Sequence, residues 1–215
     1  MAISVLIIAL VTYCLGLPDM CELVSRYILK DDIRQYGPSD YPHVLQHFRW
    51  RGIGYTLFAD MIRALVIVLI GGMLMKRFGF PGVGKATAMF FALYAQCIPP
   101  ARFSEPRQDL VFPALLLLFT DWKLLLICAV FAVIAVALTG SRALMVLAPA
   151  VAFPLFTLIF GNPFIRFLLA LGCGFILVFV NRDEILDFFE NRKARASRAP
   201  RRESDAEQDS DGEDR

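Results

Sequence analysis

Cysteine and histidine are scarce in this sequence, and their spacing forms no disulfide or metal motif. The five cysteines are scattered without a CxxC pair, so neither a disulfide framework nor a zinc site is predicted. His43 and His47 have the i, i+4 spacing of a metal-binding pair, but the glutamate of an HExxH motif and a third ligand are missing. We expect no metal and no other cofactor, and assign both histidines to an interfacial amphipathic helix over residues 42–50.

Charge is absent from long stretches of the chain. Residues 124–140 contain no charged side chain, and the whole sequence is 57% hydrophobic and 13% aromatic, with a mean hydropathy of +0.58. A soluble domain needs more polar residues than this to cover its surface. The composition therefore predicts a membrane protein.

Seven apolar stretches approach the roughly 17–25 residues that a spanning helix needs. We predict an all-α, polytopic membrane helix bundle over residues 1–191, followed by a disordered tail over 192–215. The fourth stretch is short, and if it is re-entrant the number of spans falls to six. The predicted spans are residues 1–18, 54–75, 84–101, 108–121, 123–140, 143–160 and 164–181.

Lysine and arginine are unevenly divided between the two sets of connections. Cytoplasmic loops are enriched in these residues, and the richer set comprises the first, third and fifth connections and the start of the tail. We therefore place the N-terminus outside the cell and the C-terminus in the cytoplasm. The tail has a basic block at 192–202 and an acidic block at 203–214. We expect the basic block to meet anionic lipids, whereas a solvated tail without any regulatory role is the simpler alternative. No nucleic-acid partner is expected.

Few ionisable residues lie within the predicted spans. Asp60 and Arg63 are three residues apart in the second span and therefore share one helix face, which predicts a structural ion pair. Gln96 is the notable polar residue of the third span. A small transporter is disfavoured because the spans contain no chain of ionisable groups and no inverted repeat.

Three segments predicted at the cytoplasmic surface, residues 31–40, 96–107 and 181–186, combine arginine with turn-forming or small polar residues. Arginine binds phosphate through two parallel hydrogen bonds, and successive N–H groups in turns bind anions. This combination predicts a site for a phosphorylated amphiphile. Its candidate phosphate-binding residues are Arg34, Gly37, Ser39, Asp40, Arg102, Arg107 and Arg182.

The arrangement resembles the bacterial integral-membrane acyltransferases that use acyl phosphate and glycerol-3-phosphate. Residues 15–18 with Arg26 are similar to the family's Gly-Ser-Ile-Pro followed by Arg, and 32–40 to its Asp-Ile-Arg followed by Gly-Ser-Gly-Asn. The Asp-x-x-Lys of the family's second span resembles residues 60–63. The resemblance implies a phosphate-binding role for Arg26 as well.

The remaining motifs are similar in outline only. Residues 95–99 and 103–108 stand where the family has Gly-His-x-Phe-Pro and a glycine-rich phosphate cradle, and 181–185 resemble its His-Arg-x-Asn-Ile. Gln96 replaces the histidine, and the glycines are absent. The resemblance makes Gln96 and Arg107 the candidate catalytic residues of a divergent acyltransferase in phospholipid synthesis. The alternative is an inactive relative that binds lipid or acts as a scaffold.

Overall fold

The computed structural model describes residues 2–35, 41–99, 110–160 and 163–198, without the side chains of residues 142 and 191–198. Within these ranges the chain is helical and contains no strand. A short 3-10 turn over Ile33–Gln35 interrupts the series of α helices. The helices are α1 (Ala2–Gly16), α2 (Met20–Tyr27), α3 (Tyr41–Lys76), α4 (Pro81–Cys97), α5 (Val111–Thr120), α6 (Trp122–Thr139), α7 (Arg142–Ile159), α8 (Phe164–Val180) and α9 (Arg182–Arg198).

Each predicted span corresponds to a helix, and the ends differ where proline intervenes. The third was predicted to reach residue 101, but α4 ends at Cys97, ahead of Pro99 and Pro100. A residue that precedes proline is driven out of the helical region, which explains the earlier end. The short fourth span is α5, whose ten residues cover about 15 Å of a hydrocarbon core of roughly 30 Å.

Two of the described helices, α3 and α6, are each long and apolar enough to cross a membrane alone. Two bent helix pairs, α1 with α2 and α8 with α9, raise the number to four if each pair is one span. The all-helical, membrane-embedded class is confirmed. The count of seven and the orientation stay predictions.

Helix α3 consists of two segments joined by a sharp bend. Arg49 has φ 55° and ψ −155°, which no α helix tolerates. The segment before the bend matches the predicted interfacial helix over 42–50, and Trp50 just after it is 78% exposed. The long segment after the bend is the predicted second span.

Small residues bring α1, α3 and α4 into close contact. A Cβ atom on Gly84 would collide with the carbonyl oxygen of Gly71, and one on Gly16 would come within 2.6 Å of the carbonyl oxygen of Ala92. Because lipid tails are as apolar as the side chains, such close packing rather than the hydrophobic effect holds membrane helices together. These three helices form the centre of the bundle.

The contacts also fix which helix ends lie together. Helices α4 and α8 run in parallel, because Gly82 contacts Arg166 near their beginnings and Phe90 contacts Gly172 further along. Gly16 meets α4 near its end. The ends of α1, α4 and α8 therefore lie at one end of the bundle, which we call the polar end.

A small second core covers part of the polar end. Cys21 of α2, Ile33 of the 3-10 turn and Val44 of α3 are buried together, with Tyr41 and Phe48 packed against them. We call this unit, residues 20–35 and 41–48, the cap. It contains residues 31–35 of the first predicted phosphate-binding segment.

Candidate functional site

The buried ion pair of Asp60 and Arg63 is the centre of the polar end. Both side chains lie on the same face of α3, with 2.9 Å between Arg63 Nη2 and Asp60 Oδ1, and their exposed fractions are 4% and 3%. A buried charge is stable only if a partner and hydrogen bonds replace the water it has lost. The surroundings of the pair supply both.

Arg63 connects four helices through its guanidinium group. Its Nη2 donates to Gln96 Oε1 at 3.1 Å, from α4, and its Nη1 donates to the carbonyl oxygen of Pro18, just beyond α1. The guanidinium carbon lies 3.7 Å from the centre of the Phe112 ring at the start of α5. Cation and ring attract each other in this geometry.

The cap is tied to the same ion pair through Tyr41. Its hydroxyl group donates to Asp60 Oδ2 at 2.8 Å, so Asp60 is in an ion pair with Arg63 through one oxygen and accepts a hydrogen bond from Tyr41 through the other. Tyr41 is the first residue of α3 and belongs to the cap. The ion pair thus fixes the position of the cap on the bundle.

The net charge of this cluster is zero. Asp60 and Arg63 cancel, and Gln96 and Tyr41 are neutral. A phosphate group carries up to two negative charges that need cations or N–H donors, and Arg63 already serves Asp60. The charge of a bound phosphate would therefore have to be met by arginines around the cluster.

Three of the predicted phosphate-binding arginines lie within the described residues, and all are exposed. Arg34 forms an ion pair with Glu22 across the cap. Arg182 has its Nε 3.4 Å from an Asp183 carboxylate oxygen. Arg26 lies in the last turn of α2. All three retain access to solvent, as binding to a soluble phosphate requires.

A model of the glycerol-3-phosphate acyltransferase family matches residues 6–191. This covers most of the chain. The chain belongs to the glycerol-3-phosphate acyltransferase family. The predicted resemblance is therefore confirmed.

Two solved structures share the fold of this acyltransferase-family chain. Both are of PlsY (YgiH), an integral membrane glycerol 3-phosphate acyltransferase. Its lysophosphatidic acid form superposes with a TM-score of 0.67 at 16% identity over 88% of this chain and 93% of that one. Its glycerol 3-phosphate form superposes with a TM-score of 0.65 at 15% identity, over 88% of this chain and 94% of that one. No curated protein matches the sequence.

Family membership and the helical fold together make the chain an integral membrane protein. In this acyltransferase-family chain, three stretches that resemble family motifs meet at the ion pair. They contribute Pro18, Asp60 with Arg63, and Gln96. The catalytic role of Gln96 stays a prediction. Five further candidates lie outside the described residues: Gly37, Ser39, Asp40, Arg102 and Arg107.

The two histidines are placed on the first segment of α3, where His43 is partly buried and His47 exposed. Within the described parts of the chain, no group of three or more histidine, cysteine, aspartate or glutamate residues is arranged to hold a metal ion.

Sequence reasoning did not single out Tyr41 or Phe112. Tyr41 lies 19 residues before Asp60, too far for a helical repeat to connect them. Phe112 begins an apolar helix whose sequence gives no sign that a buried cation lies beside it. Helix periodicity links neighbours three or four residues apart, so only the tertiary fold reveals these contacts.

Proposed function

We propose that this chain transfers an acyl group from acyl phosphate to glycerol-3-phosphate in the plasma membrane of a bacterium. The observation that carries the proposal is the convergence of Pro18, the Asp60–Arg63 pair and Gln96 at one end of the bundle. Membership of the glycerol-3-phosphate acyltransferase family supports it, as does the fold shared with a protein solved in its glycerol 3-phosphate form.

The reaction asks more of positioning than of covalent chemistry. A hydroxyl oxygen of glycerol-3-phosphate attacks the acyl carbonyl carbon, a new ester bond forms, and the carbon–oxygen bond to the phosphate breaks. Inorganic phosphate leaves, and the hydroxyl proton passes to a phosphate oxygen. Because acyl phosphate already has a good leaving group, held geometry and stabilised negative charge account for the rate.

The described residues have two roles in this reaction: some fix the positions of the helices, and others supply positive charge. The neutral cluster around Arg63 fixes α1, α3, α4 and the cap relative to one another. Arg26, Arg34 and Arg182 supply the positive charge for two phosphate groups. Arg102 and Arg107, which lie outside the described residues, remain candidates for the same role.

Gln96 acts in this proposal by orientation rather than by proton uptake. An amide group does not accept a proton at neutral pH, and its oxygen already receives the Arg63 hydrogen bond. Its contribution to catalysis is to hold Arg63 and the end of α4 in place.

The proposed topology puts the polar end in the cytoplasm, with seven spans and the N-terminus outside. Both substrates are then within reach, because acyl phosphate can lie in the inner leaflet and glycerol-3-phosphate is soluble. The basic block at 192–202 would contact anionic headgroups of that leaflet, each near-surface charge contributing about 1 kcal/mol.

The test is transfer of a labelled acyl chain by the purified, detergent-solubilised protein. We expect turnover in the wild type, and loss of most of it in Arg34→Ala and Arg182→Ala. Arg77→Ala is the matched control, because Arg77 is also exposed but lies beyond the end of α3, away from the polar end.

Absence of turnover in well-folded protein over several acyl lengths would contradict the proposal and favour an inactive, lipid-binding relative. Equal loss of turnover in all three variants would contradict the placement of the site at the polar end.

A further inference from the structure

Helix α9 leaves the bundle at a sharp angle to α8. Asn181 lies between them with its side chain buried, and its Nδ2 donates to the carbonyl oxygen of Leu177 at 2.9 Å. The axes of α8 and the first part of α9 differ by 65°. Spanning helices are tilted by about 20° on average, so α9 runs closer to the membrane plane than to its normal.

The first half of α9 is amphipathic. At 100° per residue, Ile185, Leu186 and Phe189 fall on one side of the helix. Ile185 is buried, whereas Leu186 is 57% and Phe189 45% exposed. Glu184 and Asp187 fall on the opposite side, and Asp183 and Glu190 border the apolar side.

Contacts with the protein leave much of the apolar side uncovered. Helix α9 contacts α7 and α8, and Leu186 and Phe189 remain exposed beside them. At the bend, the Arg182 guanidinium carbon lies 5.5 Å from the centre of the Phe179 ring, on the last turn of α8. An arginine over an aromatic ring at the end of a span is typical of headgroup depth.

The second half of α9 changes from acidic to basic. Arg192 and Lys193 follow Phe188 and Phe189 by four residues, and i, i+4 positions share one side of a helix. The first cationic positions therefore continue the apolar side along the helix, while Glu184 and Asp187 lie opposite. This charge distribution matches an anionic surface below the apolar side.

We propose that α9 is an interfacial helix that lies on the bilayer, with Leu186 and Phe189 inserted at the boundary between headgroups and acyl chains. Its partner is the anionic headgroup layer of the same membrane. Amphipathic helices of this kind bury their apolar side at that boundary. This inference does not depend on acyl transfer.

A pair of tryptophan substitutions tests the depth of the two sides. In nanodiscs whose lipids are brominated near the top of the acyl chain, Phe189→Trp should be quenched at least about twofold more strongly than Asp187→Trp, because the apolar side enters the boundary region by roughly 5–10 Å. The native residues Trp50 and Trp122 contribute equally to both variants. Leu186→Trp is the second probe of the apolar side, should Phe189→Trp fail to fold.

Equal quenching at positions 187 and 189, or at 187 and 186, would overturn the insertion of α9. Hydrogen exchange of the full chain tests the anionic partner. We expect amides of 182–198 to exchange more slowly in nanodiscs that contain phosphatidylglycerol than in purely zwitterionic ones. Identical exchange in both would overturn the choice of an anionic surface.

Discussion

Removing one member of the Asp60–Arg63 pair should be far more damaging than removing both. Arg63→Met leaves the Asp60 carboxylate buried without its cation, and Asp60→Leu leaves the guanidinium without its anion. Losing one partner of a buried pair costs about 3–5 kcal/mol, whereas replacing both with apolar side chains is often neutral. The double variant should therefore lose much less stability than the sum of the single variants.

The two single variants should also differ from each other. In Asp60→Leu, Arg63 keeps two oxygen acceptors, from Gln96 and from the Pro18 carbonyl. In Arg63→Met, those oxygens lose the guanidinium donor, and Asp60 loses its cation while it retains the Tyr41 hydrogen bond. Because unsatisfied buried groups add their own desolvation cost, Arg63→Met should be the costlier change.

The assay is reversible unfolding of the purified protein by sodium dodecyl sulfate in mixed micelles, followed by circular dichroism. Tyr41→Phe should lower the free energy of unfolding by about 1.5–3 kcal/mol, the usual contribution of a hydrogen bond to a charged group. Tyr55→Phe is its control, because Tyr55 is 49% exposed. Strict additivity of Asp60→Leu and Arg63→Met would refute the coupling derived from the structure.

Two further predictions concern the backbone. Gly84→Ala should destabilise the protein, because its Cβ would collide with the neighbouring segment of α3. Gly54→Ala, with open space around it, should raise the free energy of unfolding by about 0.5–1 kcal/mol. Unfolding midpoints compare the two variants, and a stabilising Gly84→Ala would contradict the close approach. Arg49→Gly should raise the free energy of unfolding by roughly 1 kcal/mol, because the backbone conformation at this position is nearly restricted to glycine. Arg51→Gly, in regular helix, should lower it by about 1 kcal/mol. Equal effects at positions 49 and 51 would count against backbone strain at the bend.

The helices of the seven apolar runs could be predicted from sequence, because runs of this length have few alternatives in a membrane. The ion pair was also predictable, because residues three apart share a helix face. Helix ends were less so: the predicted third span passed through Pro99 and Pro100, where α4 had already ended at Cys97. The two prolines therefore ended the helix although the apolar sequence continued.

The partners of the ion pair could not be predicted, because they come from distant parts of the chain. Gln96 lies 33 residues from Arg63, and Pro18 lies 45 residues away. The sequence predicted a break between the interfacial helix at 42–50 and the second span at 54–75, but it did not explain why the bend falls at Arg49, which is not a residue that ordinarily breaks a helix. The buried cap residues Val44 and Ile33 explain it better, because their packing fixes the first segment of α3 against the 3-10 turn.

The replacement of the family's histidine by Gln96 becomes intelligible once its partner is known. In the resemblance, Asp60 and Arg63 stand where the family has Asp-x-x-Lys, and an arginine presents five N–H donors where a lysine presents three. A buried arginine therefore needs more acceptors at fixed positions. An imidazole nitrogen accepts a hydrogen bond only in the neutral form and the right tautomer, whereas the amide oxygen of Gln96 accepts at any physiological pH. Arginine at 63 and glutamine at 96 thus form one compatible donor–acceptor pair.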